Sequence, residues 1–144
     1  MKYLILSFAM VALSGVPAFA CSCMFPETAE AQVEGADLVF EGRVIDVAPE
    51  KLKLSWWQRV RRAVLGPPEF EMRNDVTSFQ VTREIKGNAG QKMAISHLPG
   101  EFGATCGISF RPGETYVILA YETTNPGVYS TSLCSSAAYP SEDY

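Results

Sequence analysis

The 144-residue chain carries twelve basic and sixteen acidic side chains, a formal charge of −4, and 47% of its residues are hydrophobic. That length and apolar content admit one domain with a real core, and not two. The acidic balance excludes general nucleic-acid binding, which calls for a basic face.

At the start, Lys2 supplies a short positive region, and Tyr3 to Val16 is almost wholly apolar, broken only by Ser7, Ser14 and Gly15. Pro17 breaks this run, and Ala18-Phe19-Ala20 has the small-x-small pattern that signal peptidase reads. The run is too short and too near the terminus for a membrane span. Residues 1–20 are therefore predicted to be a signal peptide. Secretion is expected, to the extracellular space or, in a bacterium, the periplasm. The mature domain is then 21–144, with Cys21 as its first residue. Without Lys2, eleven basic side chains stand against sixteen acidic ones, a net of −5.

Four cysteines, Cys21, Cys23, Cys106 and Cys134, in a chain bound for an oxidising compartment read most simply as two disulfides. Cys21 and Cys23 are one residue apart, and ring strain disfavours a bond between them. The pair must then reach Cys106 and Cys134, which leaves two connectivities. Each bridge would close a loop of order 100 residues and stabilise by about 3–5 kcal/mol in the chain-entropy model.

Further along, Thr28 to Glu34 reads as a short helix, with Thr28 or Glu27 near its N-cap and Gly35 at its end. Asp37 to Val47 is strand-like, with Leu38, Phe40, Val44 and Val47 directed to a core and Gly42 at a bulge. Residues 75–85 alternate, with Thr77, Phe79 and Val81 on one face, and Lys86-Gly87-Asn88 turns. Met93, Ile95 and His97 mark a third strand, and Ile108 and Phe110 a fourth. Thr115 to Tyr121 is the most apolar strand, and Val128 to Leu133 a sixth short segment. Many short strands with regular turn signals indicate a small antiparallel barrel or sandwich.

One segment breaks this pattern. Lys51 to Gly66 holds five basic residues and no acid. Ser55 and Gln58 form a capping box, and Gly66-Pro67-Pro68 ends the run, which predicts a helix over Trp56–Leu65. Trp56, Val60, Ala63 and Val64 fall on one side; Gln58, Arg59, Arg61 and Arg62 mostly fall on the other. Two roles suit it. Its tryptophans, Trp56 and Trp57, could pack it on the barrel with a solvated basic face. Alternatively it contacts anionic lipid, as a peripheral membrane element, or a partner protein.

No set of residues reads as catalytic. His97 is the lone histidine, with no carboxylate or cysteine at a metal or catalytic spacing, and a structural role is expected for it. The carboxylates are scattered through turns and strand surfaces. Cys21-x-Cys23 is a conceivable Cu(I) ligand pair, but two further cysteines and export favour disulfides. No enzyme activity and no cofactor are predicted. A lipid-modified Cys21 fits poorly, because Phe19 lies two positions before it and Ala18, not leucine, stands at the position before that.

The ordered set Cys21-Ser22-Cys23, Ala36-Asp37-Leu38-Val39-Phe40, Lys86-Gly87, Thr105-Cys106-Gly107, Tyr116-Val117-Ile118-Leu119-Ala120 and Leu133-Cys134 resembles one family. It is the N-terminal, netrin-like domain of the tissue inhibitors of metalloproteinases, and the likeness spans Cys21 to about Cys134. The resemblance implies an all-β protein with minor helix, a five-stranded OB-fold barrel, and bridges Cys21–Cys106 and Cys23–Cys134. It also implies a mode of action. The α-amine and carbonyl oxygen of Cys21 would chelate the catalytic zinc of a target metalloendopeptidase, and Ser22 would enter its main specificity pocket. Cys23, Met24 and Phe25 would continue the wedge beside Ala104, Thr105, Cys106 and Gly107. The chain departs from the animal inhibitors in lacking their third cysteine pair, in ending soon after Cys134 without a second domain, and in carrying the Trp-Trp helix between the first two strands. The expected protein is a secreted, monomeric metalloendopeptidase inhibitor. The alternative is a non-inhibitory netrin-like binding module at an envelope or extracellular surface.

Overall fold

A computed structural model of the protein describes residues 21–68, 72–101, 106–137 and 141–144. The leader expected over 1–20, and Ala104 and Thr105 of the expected wedge, lie outside the described residues.

Thr28 opens the first helix, α1 (Ala29–Gly35), because its extended backbone lets Oγ1 accept the Ala31 N–H at 3.2 Å. Strand β1 (Leu38–Pro49) follows, then helix α2 (Trp56–Leu65) and strands β2 (Asp75–Lys86), β3 (Lys92–His97), β4 (Thr115–Glu122) and β5 (Tyr129–Ser130). The strands close into a barrel in the order β1-β2-β3-β5-β4, with β4 returning to β1. All pairings are antiparallel except β3 with β5. This is the five-stranded OB-fold order, and closure removes the exposed sheet edges.

The apolar alternation accounts for the interior. Leu38, Phe40 and Val44 of β1, Phe79 of β2, Ile95 of β3 and Ile118 and Ala120 of β4 meet inside the barrel with Phe110. Phe79 packs edge-on against Phe40 and Phe110, at centroid separations of 5.6 and 5.3 Å. Long β1 serves two neighbours by bending. One register shift falls between Glu41 and Gly42, where a side chain at 42 would meet the Phe40 ring at 2.9 Å. A second cluster, Ala36, Val39 and Leu119, lies outside the barrel wall and is covered by Val33 of α1, Ala137 and Tyr144.

Two expected strands differ. Ile108 and Phe110 form no strand: Ile108 makes a single parallel bridge to Pro99, and Phe110 is buried from irregular backbone. Its apolar character reflects burial rather than pairing. The segment from Val128 keeps only Tyr129–Ser130 as strand, and Leu133–Ser135 turns into a 3-10 helix.

The register fixes what lies at each barrel end. Pro49 pairs with Asp75, Asp75 with His97, and Ser96 with Ser130. One end therefore gathers the exit of β1, the entry of β2, and the exits of β3 and β5. From it emerge the α2 excursion, the segment leading to Cys106, and the turn carrying Cys134.

Candidate functional site

The chain from Cys21 to Pro26 has no regular structure, and both of its cysteines are bonded elsewhere. Cys21 joins Cys106, with Cα atoms 5.5 Å apart, and Cys23 joins Cys134, at 5.1 Å. The two bridges lie against each other, with Cys21 Sγ 3.6 Å from Cys134 Sγ. The sulfurs of Cys21, Cys106 and Cys134 fall within 4.8 Å of one another. Each is committed to a bridge, so the cluster is a covalent junction, not a ligand set for metal. No cysteine is free.

The receiving surface is held as firmly as the strap. Cys106 adopts a left-handed conformation, φ 57°, and its carbonyl accepts the Leu133 N–H at 2.9 Å. Gly107 is buried, and a side chain there would meet the Pro99 carbonyl oxygen at 2.0 Å. Only glycine permits this close approach of two backbones. Ile108 N–H then donates to the Leu98 carbonyl at 2.9 Å and locks the crossing. Of the expected wedge, Cys21, Cys23, Cys106 and Gly107 are thus together. Ser22 is exposed beside them; Met24 is 96% exposed, and Phe25 44%. These apolar side chains stand in solvent on a segment that two bridges hold in place.

His97 belongs to the core, as expected for it. It is 2% exposed, with Phe110 edge-on at 4.9 Å. Nδ1–H donates to the Leu98 carbonyl at 3.2 Å, so Nε2 accepts the Thr77 hydroxyl at 2.7 Å. Both ring nitrogens are used structurally.

Helix α2 is capped as its sequence directs: Gln58 N–H reaches Ser55 Oγ at 3.4 Å, and Gln58 Oε1 accepts the Ser55 N–H at 2.8 Å. The expectation that its tryptophans pack it on the barrel is overturned. None of its residues is buried, and Trp56 and Trp57 stack on each other, 60% and 65% exposed. The short helix offers too few apolar contacts to offset the entropy of docking.

One residue had no expected role beyond a turn. Lys86, at the end of β2, donates from Nζ to the carbonyls of Val33, Glu34 and Ala36 at 3.1, 2.8 and 2.6 Å. It closes the C-terminus of α1 and so fixes where the Cys21–Cys23 strap enters the fold. The only sequence signal for this was a helix whose last turn holds no cation of its own.

Compared with models of protein families and with curated proteins, the chain matches none.

Proposed function

We infer that the protein inhibits a zinc metalloendopeptidase through its own first mature residue, in the manner of the tissue inhibitors of metalloproteinases that its motifs resemble. The observation that carries this reading is the doubly bridged strap Cys21–Cys23, laid beside Cys106-Gly107 with Ser22, Met24 and Phe25 turned to solvent. After cleavage behind Ala20, the Cys21 α-amine and carbonyl oxygen would form a bidentate ligand. A catalytic zinc keeps a position open for such donors, and an α-amine of pKa about 8 surrenders its proton beside a dication. Ser22 would present a small side chain to the specificity pocket, and Met24 and Phe25 an apolar contact alongside. Because the bridges fix the strap before binding, the partner bears little of the ordering cost.

Titration of a panel of zinc endopeptidases tests this. The chain beginning at Cys21 should inhibit at least one member. One alanine added before Cys21 displaces the amine and forces a residue into a tight site, weakening inhibition by about a hundredfold or more. Ser22→Arg should weaken inhibition selectively towards proteases with shallow pockets. A protein that inhibits no member, or an extended form that inhibits equally well, rejects the mechanism and leaves the binding-module reading.

A further inference from the structure

Helix α2 and its approach segment separate charge within the molecule. Lys51 to Gly66 carries five basic residues and no acid, whereas the rest of the mature chain carries six basic and sixteen acidic. Successive helical residues turn by about 100°. Trp56, Trp57, Val60, Ala63 and Val64 therefore share an arc of about 120°. Arg59 and Arg61 stand at its two borders, with Lys51 and Lys53 exposed just upstream. The apolar arc is exposed: Val64 is 75% exposed, and all five of its residues are open to solvent.

We propose that α2 is an interfacial helix that seats the protein on an anionic lipid bilayer. An arc of aromatic and aliphatic residues flanked by arginines matches the depth profile of a bilayer surface. The tryptophans lie at the headgroup level, the aliphatic side chains dip below, and the arginine stems rise to the phosphates. The single sign of the charge selects anionic headgroups. The acidic remainder of the protein is repelled by the same surface, which orients the molecule with α2 down. No helix among the described residues is long and apolar enough to cross a membrane, so attachment through α2 is peripheral and reversible. The proposal is independent of protease inhibition.

The protein carries its own reporter, because Trp56 and Trp57 are its only tryptophans. The test uses the chain from Cys21, which contains the whole barrel and both bridges and lacks the apolar leader. Mixed with vesicles of equal parts phosphatidylcholine and phosphatidylglycerol, it should sediment with them and shift its tryptophan emission to the blue. Pure phosphatidylcholine should give a far smaller effect. Replacing Arg59, Arg61 and Arg62 by glutamate should weaken binding by more than about a hundredfold. Val60→Ser with Val64→Ser should weaken it while leaving the charge unchanged. Thermal unfolding of both variants should match wild type, since α2 supports no core. Absence of an emission shift with anionic vesicles, or equal binding by the charge-reversed protein, overturns the proposal. So does a shift given by a metalloendopeptidase and not by vesicles, which would make α2 a protein contact.

Discussion

Two glycines show how unequal single positions are in this fold. At Gly107 an added methyl group would meet the Pro99 carbonyl oxygen at 2.0 Å, and the Ile108 N–H bond to the Leu98 carbonyl holds the two segments together. Gly107→Ala should cost about 3 kcal/mol or more, read as a lower urea midpoint. At Gly35, within α1, nothing lies within 4 Å of an added methyl. Gly35→Ala should therefore stabilise by about 0.5–1 kcal/mol, through lost freedom of the unfolded chain. A Gly107→Ala protein as stable as wild type would show that the crossing of 98–100 over 107–109 is looser than its hydrogen bonds imply. His97 makes a similar point in the core. His97→Ala removes a packed ring and strands the Thr77 hydroxyl, for a loss of about 3 kcal/mol. It touches none of the strap, so under the proposed mechanism inhibition by the folded protein should stay unchanged.

At the scale of elements, α1 and α2 are short helices held by opposite means. α1 depends on the barrel: Lys86→Met deletes three charge-assisted bonds to its last carbonyls and should lower global stability by about 2–3 kcal/mol. α2 depends on itself. Ser55→Ala removes its cap and should destabilise it by about 1 kcal/mol, visible as faster amide exchange over Trp56–Leu65. The urea midpoint of the barrel should not move; a coupled loss would mean that α2 is docked after all. This contrast also explains what could be read in advance. The span and cap of α2 were legible because they are local, written in Ser55, Gln58 and Gly66. Its detachment was not, since amphipathic periodicity is the same whether the apolar arc meets a core or solvent. Strand β2 was legible from alternation, and β1 and β4 from their apolar content, whereas Ile108 and Phe110 misled because burial without pairing leaves the same apolar trace. The grip of Lys86 on α1 joins residues fifty positions apart, and its one local trace is a last helical turn with no cation of its own.

For the molecule as a whole, the two bridges contribute less together than their separate loops suggest. Cys21–Cys106 spans 85 positions and Cys23–Cys134 spans 111. With the first intact, the second closes only the short stretches between Cys21 and Cys23 and between Cys106 and Cys134, roughly thirty residues in all. Replacing Cys23 and Cys134 by serine should therefore cost about 3.5 kcal/mol, and removing both bridges about 8 kcal/mol, less than the sum for two independent loops. A further consequence concerns survival. The Cys23–Cys134 bond makes everything between those residues a covalent ring, and α2 is a peninsula on it with no buried residue of its own. A single cut in that peninsula opens the ring without dividing the molecule. Trypsin, directed to Arg61 and Arg62, should give two bands on a reducing gel and one on a non-reducing gel. The nicked form should keep its barrel and its strap. The exposed basic segment thus sits where a cut leaves the molecule in one piece.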